Sequence, residues 1–228
     1  VEVTFPIRPT TDAEARQLWA TPWWLIGWLE SVTGQPILLD VASEEWSAKA
    51  ERWLGPGGVE ENALSVTCDW RALAGGGGFP HVWLNPPYGR IEPWVDAAIR
   101  QASTGRLVIW LLVPMRTDQA WCARAMEAGP VTLLTGSPRV GFTPPPGIEA
   151  STPMGSPVLF QFGVGRWLPR SVDVREARAL GTAYVAAVPR LRELRDHRAA
   201  LRAEGLDRVG GSGNSTAGDV VDLFGVGG

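Results

Sequence analysis

Asn85, Pro86, Pro87 and Tyr88 stand together in the run HVWLNPPYGR, and their types suit the activation of a planar exocyclic amine. The amide oxygen of Asn85 and the backbone carbonyl of Pro86 can each accept one N–H of an aromatic NH2 group, drawing the nitrogen lone pair out of ring conjugation. A nitrogen held in that way is nucleophilic and can attack an electrophilic carbon such as a sulfonium methyl. The two prolines fix φ and remove two backbone donors, so the turn is stiff and its carbonyls stay out of a strand ladder. Tyr88 adds a face on which a base can stack. Asn, Pro and Gly are also ordinary turn formers after a strand. The assignment therefore depends on the elements around them.

Hydrophobic periodicity outlines those elements. Helices are predicted over residues 12–19, capped by Thr11 or Asp12, and over 22–31, with Pro22 in the first turn. Residues 37–40 read as a short buried strand, 44–53 as a helix and 64–67 as a second strand. After the glycines at 75–78 come a strand over 81–84, the Asn85–Tyr88 loop, a helix over 93–103 and a strand over 107–113. A helix over 118–127, a strand over 131–134 and a hairpin-like pair, 139–142 with 158–162, complete the pattern. Strands alternating with helices predict an α/β fold with a doubly wound, mostly parallel sheet and right-handed crossovers. Residues 1–170 are accordingly assigned to one catalytic domain and 171–204, Ala/Arg/Leu-rich and broken at Pro189, to a helical appendage. Residues 205–228, dominated by Gly, Ser, Asn and Asp, are expected to form a disordered tail, with Val220 to Phe224 as a short docking element.

Composition narrows the function classes. With 228 residues and 45% hydrophobic composition the chain can bury a full core. Cys68 and Cys122 give no disulfide framework, and with His81 and His197 far apart no metal site is expected. The absence of a signal-like start and of an apolar stretch near about 18 residues predicts a cytosolic protein with no membrane partner. The net charge of −3 conceals an asymmetry, since residues 1–84 carry 5 basic and 11 acidic side chains while 85–170 carry 8 and 5. The basic excess begins at the Asn85 loop, as a nucleic-acid surface there requires.

In a doubly wound sheet, ligands occupy the crevice beyond the carboxyl ends of the strands near the topological switch point. Three strand ends are expected to converge there: Asp40-Val41-Ala42-Ser43, Cys68-Asp69-Trp70 and Asn85 to Tyr88. An acidic residue at a strand end can hold a ribose hydroxyl, an adenine amine or an ammonium, and all three occur in S-adenosylmethionine. Asp40 and Asp69 could instead be a cap and a turn residue, and Trp70 could pack in the core rather than flank an adenine. Trp23, Trp24 and Trp28, at helical spacing, are expected mainly to pack, and His81 is expected to be structural.

The ordered blocks ATPWW, LLDVAS, NALSVTCDW, HVWLNPPYGRIEPWV, VIWLLVPMRTD, RVGF with a Pro-rich loop, and SPVLFQFG resemble the phage-type, Dam-like DNA N6-adenine methyltransferases over Thr21 to Gly163. The resemblance implies a class I (Rossmann-like) methyltransferase fold that binds S-adenosylmethionine and methylates adenine N6 in double-stranded DNA. It implies that Thr21 and Pro22 close over the cofactor methionine, that Asp40, Ala42 and Ser43 form the cofactor loop, and that Asp69 contacts the cofactor adenine. Asn85, Pro86, Pro87 and Tyr88 match the catalytic loop. LLDVAS lacks the usual methyltransferase glycine loop, which departs from the wider class.

Such a reaction needs the adenine flipped from the duplex, and no general base is identifiable. Arg90 and Arg116, on the expected active face, are the candidate phosphate contacts, and the loop from Thr143 to Pro157 is a candidate DNA-reading or lid element. Only 44 residues separate Asp40 from Asn85, too few for a separate recognition domain, so loose sequence specificity is expected. The acidic N-terminal part and the mixed-charge C-terminal helices would suit a homodimer. Two other readings share the motif: a methyltransferase acting on an RNA base or a protein glutamine, and a silent homologue that keeps the sheet as a DNA-binding module.

Overall fold

The computed structural model describes residues 19–148, 156–165, 168 and 170–211. The helix expected over 12–19 and the tail beyond 211 lie outside the described residues. Seven strands, β1 (Ile37–Asp40), β2 (Arg52–Trp53), β3 (His81–Leu84), β4 (Val108–Pro114), β5 (Val131–Thr135), β6 (Pro157–Gly163) and β7 (Ser171–Asp173), form one sheet in the order β2-β1-β3-β4-β6-β5-β7. Strand β6 pairs antiparallel with both β4 and β5, and every other pair is parallel. This is the mostly parallel, doubly wound sheet of a class I methyltransferase-like fold, with one reversed strand inserted.

Alternate side chains of the central strands feed two cores, because successive residues of a strand point to opposite faces. On one face Val82, Leu84, Ile109, Leu111 and Phe160 pack with α3 (Glu92–Ala102) and α4 (Ala120–Ala128). On the other, Ile37, Trp83, Val108, Trp110 and Leu159 pack with α1 (Trp23–Thr33) and α5 (Val174–Ala187). Strands covered on both faces read as continuous apolar runs rather than alternating ones, which is why HVWL and VIWLLV stand out in the sequence. Helix α1 is apolar nearly all round and is held between the sheet and α5. Gly27 and Gly181 let the two helices approach so closely that a Cβ on Gly181 would overlap the Trp24 carbonyl. At the end of α1, Gly34 adopts φ 65° and its N–H caps the Glu30 carbonyl. Pro22 is the N-cap of this helix, one position before the first turn where the sequence put it.

Three expectations are corrected. Residues 44–53 are not a helix: a 3-10 turn at Glu45–Ser47 is followed by β2, because Asp40 draws the chain back to the sheet through Lys49 N–H at 2.9 Å and Leu54 N–H at 2.8 Å. Residues 64–67 form turns, with the Ser65 and Thr67 hydroxyls bonded to each other at 2.8 Å, and lead into the short helix α2 (Trp70–Ala74). Residues 139–142 form no strand. The chain there leaves the sheet and pairs one residue on, Thr143 with Ala20, while the antiparallel partners of β6 are β4 and β5. Beyond residue 170, β7 joins the sheet edge beside β5 and α5 packs on α1. Helix α6 (Pro189–Gly211) follows the expected break at Pro189 and runs into the segment expected to be disordered.

Candidate active site

The chain leaves β1 outward to β2 and returns to β3 on the other side of β1, so the strand order reverses between β1 and β3. Their carboxyl ends lie side by side, Asp40 in register with Trp83 and Val41 N–H bonded to the Trp83 carbonyl at 2.9 Å. A cavity of about 280 Å³ opens there, close to the lower limit of roughly 300 Å³ for small-molecule clefts. Thr21, Asp40, Ala42, Ser43, Asn85 and Pro87 all line it, so two of the three expected strand ends meet.

Asp40 organises the loop that follows β1. Its carboxylate accepts from Lys49 N–H at 2.9 Å and from Ala42 N–H at 3.4 Å. The Ser43 hydroxyl is buried near enough to favour the charged carboxylate, though without a well-shaped hydrogen bond. Burial outweighs these contacts and pushes Asp40 up to about 6. Lys49, equally buried, is driven down to about 7 by desolvation against the opposing pull of Asp40, and its ammonium sits 4.6 Å from the Trp23 ring centre. The loop closes on Gly55, at φ 135°, where any Cβ would strike the Ser43 carbonyl. The close-approach glycine absent after β1 is thus supplied after β2.

The catalytic-loop candidates follow β3. Asn85 is held by two bonds, its Nδ2 donating to the Trp19 carbonyl at 3.1 Å and its Oδ1 accepting from the Tyr88 hydroxyl at 3.0 Å. Burial pushes the Tyr88 hydroxyl well above its ordinary range, so it stays a neutral donor. The Tyr88 ring meets Phe142 edge-on at 6.3 Å. Pro86 is buried beneath the turn. Pro87 and Trp94 form a partition, facing the cavity on one side and a recess of about 450 Å³ containing Gly89 and Arg90 on the other. Tyr88, Arg90 and Arg116 share a neighbouring, wider groove of about 600 Å³. Arg116 is exposed there and paired with Asp118 at 3.2 Å.

Three of the cofactor candidates lie off the cavity. Asp69 caps α2, its carboxylate accepting from Ala72 N–H at 3.0 Å. Trp70 is fully buried, its indole N–H on the Ala63 carbonyl at 3.0 Å, and supports the cavity wall from behind. Pro22 caps α1, while its neighbour Thr21 receives the Trp83 indole N–H at 3.2 Å. Residues the sequence did not single out also line the cavity: Trp19, Glu44, Ser47 and Glu61. The acidic pair Glu44 and Glu45 after LLDVAS was the available signal, hidden by its helix-like context. His81 is buried, takes the Trp110 indole N–H on Nδ1 at 3.3 Å and is held down to about 4 by burial, in keeping with a structural role.

The family model described as DNA N-6-adenine-methyltransferase (Dam) matches residues 8–156. A protein of Haemophilus phage HP1 (strain HP1c1) named DNA N-6-adenine-methyltransferase is 28% identical over 133 residues, spanning 57% of this chain and 69% of that protein. One of the same name from Escherichia phage T1 is 35% identical over 118 residues, spanning 52% of this chain and 44% of that protein. With well over half of its length matched, and the Asn85–Tyr88 loop at the switch point of a methyltransferase-like sheet, this chain belongs to the DNA N-6-adenine-methyltransferase (Dam) family.

Proposed function

We propose that the chain transfers a methyl group from S-adenosylmethionine to N6 of an adenine flipped out of double-stranded DNA, in the cytosol, with Asn85 to Tyr88 as the catalytic loop. The carrying observation is the place of Asn85: its amide is fixed by two hydrogen bonds at the mouth of a cavity at the β1–β3 switch point. The cavity fits the methyl donor in kind. Carboxylates of Asp40, Glu44 and Glu61 and hydroxyls of Thr21, Ser43 and Ser47 suit an ammonium, a sulfonium and ribose hydroxyls, while Trp83, Ala63 and Leu54 give apolar surface for an adenine.

The cofactor supplies an electrophilic methyl on a positively charged sulfur. The chain's part is to bring the amine to it. Tyr88 holds the flipped base by stacking, and the Asn85 amide oxygen and the Pro86 carbonyl each accept an N6 hydrogen. N6 forms a bond to the methyl carbon as the carbon–sulfur bond breaks, the sulfur leaves neutral, and the extra proton on N6 passes to water. Positioning and fixed dipoles carry the rate enhancement. Arg90, exposed beside the groove, is the phosphate contact this reading favours over Arg116, whose charge is already engaged by Asp118.

The test is transfer of labelled methyl from S-adenosylmethionine to unmethylated DNA by wild type and Asn85→Ala, with digestion to nucleosides. Label in N6-methyladenine that is lost in the variant supports the reading. Cofactor binding with unlabelled DNA moves the substrate to an RNA base or a protein amide, and salt-sensitive DNA binding without any transfer returns the silent module.

A further inference from the structure

Helix α6 lies beyond the residues matched by the Dam family model. Its packed face begins with buried Leu191 and Leu194, yet continues with Arg198, only 4% exposed, where helical spacing calls for another apolar side chain. The Arg198 guanidinium pairs with Glu45 at 3.4 Å and lies 4.9 Å from the centre of the Trp53 ring, while its Nε finds no hydrogen-bond partner. A buried cation with incomplete partners costs stability that an apolar residue of similar size would not. What it touches explains its presence. Glu45 belongs to the turn whose Glu44 and Ser47 line the cavity, and Trp53 precedes Leu54, Gly55 and Pro56 on the adjoining wall.

One helical turn further on, Arg202 Nε donates to the Pro144 carbonyl at 3.0 Å. The adjacent Thr143 exchanges both backbone hydrogen bonds with Ala20, at 2.8 and 2.9 Å, and Ala20 lies on the cavity between Trp19 and Thr21. The start of the helix is anchored by Arg190, bonded to both carboxylate oxygens of Glu30 at 2.5 and 2.6 Å. One helix therefore grips three separate wall segments, around residues 44–47, 54–56 and 19–21, without itself lining the cavity.

We propose that Arg198 and Arg202 are positioning residues: α6 straps the three wall segments into one arrangement and thereby sets the affinity for the methyl donor. The inference rests on the reading of that cavity as the S-adenosylmethionine site. Arginine suits the task because its planar group can present an edge to a carboxylate and a face to an indole at once, which lysine cannot do equally well.

The experiment uses the full chain as wild type, Arg198→Met, Arg198→Lys and Arg202→Met, titrated with S-adenosylmethionine by calorimetry and compared for Tm, cofactor KM and kcat. In Arg198→Met the Kd and KM for the cofactor rise roughly tenfold, the size of effect expected for a residue acting through others. The same variant keeps or raises Tm, and its kcat at saturating cofactor stays within about twofold of wild type. Arg198→Lys falls between, and Arg202→Met loses less. Unchanged Kd in Arg198→Met and Arg202→Met overturns the inference, as does a loss of affinity that follows Tm across all three variants, which marks a role in folding alone. If Arg198→Met does not fold, unchanged Kd in Arg198→Lys and Arg202→Met overturns it equally. Wild type that fails to bind S-adenosylmethionine refutes the cavity reading itself, a separate outcome.

Discussion

Removing the Tyr88 hydroxyl tests whether the Asn85 amide must be locked for chemistry. In the structure the amide has two ties, Nδ2 to the Trp19 carbonyl at 3.1 Å and Oδ1 from the Tyr88 hydroxyl at 3.0 Å. The second tie fixes which end of the amide is the oxygen and where its remaining lone pair points. Tyr88→Phe keeps the ring against Phe142 but leaves the amide on one tie, free to turn its NH2 toward an incoming N6. A half-buried hydrogen bond of this kind is worth about 1 kcal/mol net, rising toward ~3 when an acceptor is left unmet. Since ~1.4 kcal/mol is a factor of ten in rate, kcat is expected to fall about tenfold in Tyr88→Phe, with little change in the KM for DNA. Asn85→Ala removes the acceptor itself and is expected to cost roughly 10²- to 10³-fold, as for a lost dipole aimed at a reacting group. The double variant should be no slower than Asn85→Ala, because the hydroxyl then has nothing to orient. Single-turnover methyl transfer on the four proteins gives the coupling directly. A double variant slower than Asn85→Ala by the full Tyr88→Phe factor, or a Tyr88→Phe protein that matches wild type, refutes the locking argument.

The remaining predictions concern the cavity walls, the helix contact and the DNA face. Asp40, pushed up to about 6 by burial, should make cofactor affinity weaken as pH falls through about 6, a limb that calorimetry should find missing in Asp40→Asn. The same shift makes the native state the tighter proton binder between 3.8 and about 6, so the folding stability tied to Asp40 is lost as pH rises across that window, and urea melts of Asp40→Asn should lack this slope. Asp69→Ala should cost about 1 kcal/mol of stability through its lost cap and leave cofactor affinity unchanged; a large loss of affinity would return Asp69 to the site. Gly181→Ala, whose new Cβ meets the Trp24 backbone rather than a flexible side chain, should destabilise by about 3 kcal/mol or more in urea melts. Arg90→Ala should reduce the salt slope of DNA binding by about one, measured by anisotropy at several salt concentrations, and Arg116→Ala, already paired with Asp118, by less; equal slopes would place the phosphates elsewhere.

The strands that carry the site were legible in the sequence because burial on both faces writes them as unbroken apolar runs: ILLD, HVWL and VIWLLV could hardly be anything else. Asn85 to Tyr88 was legible because two prolines after such a run leave the chain few conformations. The stretch EEWSAKAERW was misread because its composition favours a helix, and only contacts distant in sequence decide otherwise. Asp40 captures the Lys49 N–H, and Leu54 pairs beside β1, leaving room for one 3-10 turn. Strand β7 is three residues long and half-exposed, with no apolar pattern of its own. It exists because β5 offers it an edge.

Asp69 and Trp70 stand off the cavity for a related reason. The strand predicted over 64–67 would have brought its carboxyl end to the crevice, but in its place the chain makes turns that bury Trp70 behind the wall. The Trp70 N–H goes to Gln101 at 3.2 Å, and the Gln101 amide returns a bond to the Cys68 carbonyl at 2.5 Å. A side-chain bridge from α3 thus does the work that a strand ladder was expected to do.

Charge is where sequence patterning is least informative and the structure most so. Among the described residues the buried charged side chains are Glu30, Asp40, Lys49 and Arg198. Buried charge is unfavourable unless paired, so its distribution records where something other than stability was required. Three of the four stand around the β1–β3 cavity, and the fourth, Glu30, anchors the start of the helix that delivers Arg198 to it. In the sequence Lys49 and Arg198 look like solvated helix faces, 149 positions apart. In the fold they share one electrostatic environment with Asp40, which favours the charged form of both cations, while Arg198 lowers the affinity of Lys49 for its proton. Departures from local rules that gather around one cavity are the mark of a functional site, and here they gather around the cavity that the Asn85 loop closes.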